Sequence, residues 1–248
     1  MGRVTDPLAP LTELPGVAEA CEQAREDLGR AHRHRTNLRK WPVTAAEAAV
    51  RAARASSVLD GGAMQLADTG EPDPVLAGAL RVAQALEGGE TGLAKVWQRA
   101  PLQALARLHT LAAADLVDDP DRLGRPRGDS DTGRRLELLA HLVTGGTRAP
   151  APVLAAVVHG ELLTLKAFGV ADGLVARAAS RLVTMSTGLD PHGLGVPELF
   201  WMRRSRDYTE AAHGFASGTP EALARWLLHC CAALRAGADE ALKIAESV

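Results

Sequence analysis

An all-α fold, one domain of about eight or nine helices, is what this sequence predicts, and three observations carry it. Hydrophobic residues fill 46% of the 248 positions but aromatic ones only 3%, so the core must be built from Ala, Leu and Val. Ala and Leu lead the helix scale, while the aromatic residues that favour strands are scarce. Apolar residues recur at helical spacing between Pro, Gly and capping signals. No internal repeat is visible and nothing points to a second independent core; a chain of this length can bury one of good size.

The elements follow in order. A first helix is expected over about Val17–Arg30, followed by a basic cluster of His32, Arg33, His34, Arg35, Arg39 and Lys40. Without stacking aromatics the cluster reads as a solvated face or turn. Trp41 and Pro42 mark a break. Thr44, with Glu47 three residues on, has the capping-box pattern and opens a helix through Ser57 that ends at Asp60-Gly61-Gly62. The break DTGEPDP precedes a helix over about Val75–Leu86, and Pro101 introduces another over Leu102–Leu111. Residues 118–131, DDPDRLGRPRGDSD, form the most turn-like segment, a loop or short flap. Arg134–Val143 is helical by apolar spacing, and GGTRAPAP is the last long linker. Two helices around FGVADG come next, the second stopping near Gly188. Thr219-Pro220-Glu221 starts a further helix with a cap and a proline in the first turn. The last helix is expected over about Ala238–Glu246.

Composition excludes several classes. A net charge of -2 gives no electrostatic case for nucleic acid as a partner. Cys21, Cys230 and Cys231 cannot make a disulfide framework, which fits a reducing compartment. The N-terminal MGRVTDPLAPLTELPG lacks a signal peptide's apolar run. No window approaches the roughly 18 apolar residues that span a membrane. The expectation is a cytoplasmic protein with no membrane partner.

The chemistry concentrates in VVHGELLTLKAFGVADGLVARAASRL, residues 157–182. An apolar helix, a tight glycine-bearing turn and a second helix carrying Arg177 make a ready anion site, because the first N–H groups of a helix have no intrahelical partner. The stretch resembles the signature loop of the Fic (Fido) family. That signature runs His-x-Phe, a variable residue, an acidic residue, Gly-Asn-Gly-Arg, two residues and a second Arg. Aligned without gaps, Phe168, Gly173 and Arg177 match. Lys166 stands at the general-base His, Val170 at the acidic metal ligand and Ala171 at the first glycine. Asp172 stands at the Asn and Leu174 at the first Arg.

Further resemblances extend over about Thr44–Leu234. Ser56-Ser57-Val58-Leu59-Asp60-Gly61 is similar to the family's inhibitory motif, Ser/Thr-x-x-x-Glu-Gly, with Asp for Glu. LQALARLHTL is similar to the helix before the family's flap, and Gly124 with Arg125 or Arg127 falls where that flap begins. Pro197–Tyr208 resembles the helix after the active site. The resemblance implies an N-terminal helix and basic segment over 1–43. A Fic-like domain over 44–248 would include an inhibitory-motif-like helix near 44–61.

Family members transfer AMP or another phosphate-containing group from a nucleotide to a protein hydroxyl. The resemblance therefore implies ATP or another nucleotide with Mg²⁺ if transfer survives, and a protein target or partner. Each replacement works against that chemistry. A lysine is an ammonium near neutral pH and a poor proton acceptor unless desolvated. Val170 cannot ligate Mg²⁺, which takes oxygen ligands, and Leu174 cannot grip a phosphate. The expectation is a degenerate member that acts by binding a partner or small ligand. The alternative is a transferase with a rebuilt site, in which Lys166 and Asp172 are catalytic.

Phe168, Gly173 and Arg177 are the candidate nucleotide- or anion-binding residues, and Ser56, Asp60 and Gly61 the inhibitory ones. Several residues keep two readings. Asp172 either caps the second helix, occupying the anion site itself, or supplies the metal carboxylate lost at position 170. Lys166 either serves the helix C-terminus or contacts phosphate. Asp60 either pairs with Arg177 or merely ends its helix. His109 and His159 are core or groove histidines, and Glu161 accompanies His159 on the first signature helix. His229-Cys230-Cys231 looks like a buried helix face rather than a zinc fragment. No metal ligand is assigned, and Ser56 and Ser57 lack the neighbours of a nucleophile.

Overall fold

The computed structural model describes residues 6–66, 71–87 and 92–248. Among them are twelve α-helices: α1 (Ala9–Thr12), α2 (Val17–Arg33), α3 (Arg35–Leu59), α4 (Pro74–Leu86), α5 (Leu93–Arg99) and α6 (Pro101–Ala113), then α7 (Ser130–His141), α8 (Ala151–Leu165), α9 (Asp172–Ser186), α10 (Pro197–Arg203), α11 (Ser205–Ser217) and α12 (Pro220–Ser247). No strand occurs among the described residues.

The central pair is α8 and α9. Helix α8 is apolar on nearly every face, the pattern of a helix buried all round. Its Leu154, Ala155, Val158 and Leu162 pack into one core with α4, α5, α6, α7 and α9. Its Val153 and Ala156 enter a second core with α2, α10, α11 and α12. The helix is thus the wall between two cores, and the loop leaving it is held from both sides.

The helix total exceeds the eight or nine expected, for identifiable reasons. Helix α5 is only seven residues long, and α10 and α11 are separated by one non-helical residue, Arg204. Helix α3 begins at Arg35 rather than Thr44 and is interrupted at the non-helical Lys40, next to the break expected at Trp41 and Pro42, so that Pro42 falls in the first turn of its second part. Thr44 makes no capping box: its hydroxyl donates to the Trp41 carbonyl at 3.2 Å. Helix α12 is continuous through Gly237, where a separate last helix was expected. A side chain at Gly237 would strike the backbone of Val196 and Pro197, so that glycine serves close helix packing rather than a break. The expected stops and starts at Gly188 (φ 78°), Thr219-Pro220 and Pro101 are present. The 118–131 segment is irregular, with one 3-10 turn at Pro120–Arg122, until Asp129 caps α7. The break at 68–74 lies partly outside the described residues.

Candidate functional site

The site is organised by Arg177, which is 1% exposed on the second turn of α9. Its Nε donates to Ser56 Oγ at 2.7 Å and one Nη donates to the Ser56 carbonyl at 3.0 Å. The same Nη donates to Asp60 Oδ1 at 2.6 Å, and the other reaches the Tyr208 hydroxyl at 3.4 Å. Burial alone would pull the guanidinium below its ordinary value, but the adjacent Asp60 carboxylate, with the Tyr208 hydroxyl, outweighs it and raises it.

Asp60 is placed by the end of α3. The helix stops there, with Gly61 following at φ 84°, a left-handed conformation that glycine adopts without strain. Its second oxygen accepts the Leu174 N–H at 3.0 Å. One carboxylate therefore holds both an early N–H of α9 and the guanidinium one turn further on. A carboxylate at a helix N-terminus is also favoured by the helix dipole. Gly173 makes this approach possible, since a Cβ there would overlap the Asp60 carboxylate.

Asp172 does not cap α9, which corrects the self-capping reading. The N-cap is Ala171, in the left-handed region at φ 54°, and no side chain caps the helix there. Once Ala171 turns the chain in this way, Asp172 is already helical. Its carboxylate reaches back to the Phe168 N–H at 2.9 Å. Burial pushes the Asp172 carboxyl above its ordinary value, opposed by the Phe168 and Gly169 amides and by nearby Arg127. The anion position at the start of α9 is filled by a residue 114 positions away, not by the loop's own aspartate.

The other loop residues are anchored to the fold. The Phe168 ring is 6% exposed and stacks on His109, with centroids 4.2 Å apart. His109 Nδ1 accepts the Gly124 N–H at 2.9 Å, which ties the 118–131 segment to the same stack. The Arg127 N–H donates to the Ala167 carbonyl at 2.8 Å, and its guanidinium caps the C-terminus of α8 through the Leu165 carbonyl at 2.9 Å. Lys166 is exposed at the end of α8, in the left-handed region at φ 50°, and makes no ion pair among the described residues. Its own N–H closes the helix on the Leu162 carbonyl.

Arg177 leads into a buried polar chain that the sequence did not reveal. The Tyr208 hydroxyl lies 2.8 Å from His159 Nε2. Burial pushes the Tyr208 phenol up to about 12, partly offset by Arg177. Burial also pulls His159 well below its ordinary value, with Arg177 and His229 adding to the effect, so it is neutral at physiological pH. Trp201 and Trp226 close around His159 edge-on. The one available signal was scarcity: Tyr208 is the chain's single tyrosine. Glu161 faces outward from this chain and pairs with Arg135 at 2.7 Å. Cys230 and Cys231 lie in the second core, as expected of a buried helix face.

The residues present do not fit a magnesium-bound nucleotide. Val170 offers no side-chain oxygen, Leu174 is 2% exposed in the core, and Asp172 is engaged within the loop. Among the described residues no cluster of three or more His, Cys, Asp or Glu has metal-holding geometry. No described helix is long and apolar enough to cross a membrane.

Neither protein-family models nor curated proteins give a match to this sequence. Among solved structures, the chain is similar to a Fic family protein from Desulfovibrio desulfuricans G20, at a TM-score of 0.61 and 18% identity. The similarity covers 92% of this chain and 74% of that one. The protein has a Fic-like fold, as the loop and the order of elements led one to expect.

Proposed function

We propose that this protein is a binding protein built on the Fic-like fold, degenerate in its signature loop and without ordinary AMP transfer to protein hydroxyls. The observation that supports this best is the Asp60 carboxylate. It takes the Leu174 N–H and the Arg177 guanidinium together, two donors that a phosphate at the start of α9 would need. A nucleotide would have to displace an anion that the chain itself supplies. The replacements at 166, 170 and 174 then leave no base, metal ligand or first arginine for the chemistry.

The test is calorimetric titration of ATP, GTP, CTP and UTP, each with Mg²⁺, into the full chain. The expected result is no saturable binding; a one-to-one isotherm in the wild type would overturn the reading. A second reading, an active transferase using Lys166, Asp172 and Arg177, draws support from the Asp60–Arg177 pair, since an inhibitory contact implies something to inhibit. It requires nucleotide binding that Lys166→Ala removes.

A further inference from the structure

Helices α2 and α12 lie side by side and parallel, and their register is fixed at several points. The Cys21 and Cys231 sulfurs are 3.8 Å apart inside the second core. Further along, Arg235 donates to Asp27 at 2.9 Å and to Gln23 at 2.8 Å, and Arg30 lies 3.7 Å from Asp239. From the cysteine pair to Arg30–Asp239 is nine residues along α2 and eight along α12, so the helices stay in step. On the buried side Val17, Ala24 and Leu28 of α2 share a core with Leu227, Leu234 and Ala238 of α12. Surface pairs and core packing together hold the two sulfurs opposite one another.

A disulfide needs its sulfurs ~2.05 Å apart. Starting from 3.8 Å, each sulfur has to travel about 0.9 Å. The two thiols are free but not equivalent. With Cys231 donating to Cys21, the Cys21 thiol is pulled below its ordinary value against the effect of burial, and Cys231 is pushed far up. The thiolate is the nucleophile in sulfur chemistry, so Cys21 reacts first and Cys231 resolves. Cys230 has no sulfur partner among the described residues, and burial pushes its thiol well up. Cys21 and Cys231 are only 4% and 1% exposed, which restricts the oxidant to a molecule near the size of water.

From the fixed register and the sulfur contact, we infer that Cys21 and Cys231 form a reversible redox latch between α2 and α12, closed by hydrogen peroxide and reopened by a thiol. The Cys21 sulfur attacks one peroxide oxygen, the O–O bond breaks, and the other oxygen leaves with a proton as water. The Cys231 sulfur then attacks the sulfenic sulfur of Cys21. The S–O bond breaks, and the hydroxyl leaves with the Cys231 proton as a second water. The two cysteines lose two electrons and the peroxide gains them. Two equivalents of a thiol reverse the bond by exchange and end as their own disulfide. Transient pairs of this kind are compatible with a reducing compartment. The bond closes a loop spanning 210 positions, which constrains the unfolded chain. It also steadies α12, whose Trp226 packs on both Tyr208 and His159, and so one wall of the buried polar chain.

The test exposes the reduced full chain to hydrogen peroxide, quenches it in denaturant with N-ethylmaleimide, and reads intact mass and tryptic peptides. The wild type is expected to take up one maleimide in place of three, with the Cys21 and Cys231 peptides joined and dithiothreitol restoring all three. Cys230→Ala forms the same link. In Cys231→Ala the reaction stops at the Cys21 sulfenic acid, which dimedone traps, and Cys21→Ala forms no link. Oxidised wild type melts at a higher temperature than reduced, a difference absent from Cys21→Ala. Three maleimides after peroxide, a bond through Cys230, or a bond that only joins separate chains would overturn the inference. So would sulfinic acid at Cys21 of the wild type without a link, or an oxidised Tm no higher than the reduced one. The wild-type mass map decides the link even where a variant fails to fold.

Discussion

Replacing Asp60 with Ala removes the carboxylate that two elements share, and its cost follows from what remains. Breaking a buried ion pair from one side costs about 3–5 kcal/mol, because the other charge is left uncompensated. Here Arg177 keeps Ser56 Oγ, the Ser56 carbonyl and Tyr208. The Asp60 side chain is 20% exposed, so water can reach the space it leaves. Both facts lower the expectation to about 2–3 kcal/mol. For a chain of this size that is a fall in Tm of roughly 5–10 °C. Asp60→Asn keeps an acceptor for the Leu174 N–H and loses about half as much. The vacated site presents an unpaired guanidinium and an unpaired amide at a helix N-terminus, so sulfate added to Asp60→Ala should restore stability. At a hundred times its dissociation constant the recovery is about 2.7 kcal/mol. The assay is thermal unfolding by circular dichroism with sulfate titrated into the wild type and the variant. An unchanged Tm in Asp60→Ala, or equal stabilisation of both proteins by sulfate, would refute the assignment.

Three further outcomes follow. Gly173→Ala destabilises the wild type by about 1–3 kcal/mol because its Cβ overlaps Asp60. In the Asp60→Ala background the sign reverses, since alanine is then the better helix former by about 1 kcal/mol; one sign in both backgrounds contradicts the contact. Asp172, whose carboxyl is raised chiefly by burial, loses stability as pH rises through and above the carboxylate range. Asp172→Asn is therefore at least as stable as the wild type at pH 7, with the difference shrinking below about pH 4, and a variant clearly weaker at pH 7 argues against this. For Asp190, burial alone would raise the carboxyl, but His32, Arg181 and the Gly195 amide together hold it below the usual range. Its contribution is present above about pH 4 and is lost as pH falls through the lowered value. Asp190→Asn should flatten that acid limb in urea melts, and an unchanged limb would remove Asp190 from the account.

The fold was legible wherever a local signal sets a helix end, as at Pro101, Gly188 and Thr219-Pro220. It was illegible where packing overrides such signals. Gly237 sits inside α12 because Val196 and Pro197 pass too close for a side chain. The break expected at Trp41-Pro42 is present one residue earlier, at the non-helical Lys40, with Pro42 in the first turn after it. In the site, the resemblance to the inhibitory motif offered the Asp60–Arg177 pair as one of two readings, and the pair forms across 117 positions. Asp172 was misread because its residue type favours capping, while the backbone turn at Ala171 decides where the helix starts. The branch through Tyr208 to His159 could not be foreseen, since α11 reaches Arg177 only through tertiary packing.

The signature loop is proposed to retain the architecture of nucleotide transfer without its chemistry. This is tested most directly by incubating Asp60→Ala, whose anion site is open, with Mg²⁺ and α-labelled ATP, alone and with cell lysate. No labelled protein above background is expected. Labelling in Asp60→Ala that disappears in Asp60→Ala/Arg177→Ala would contradict it.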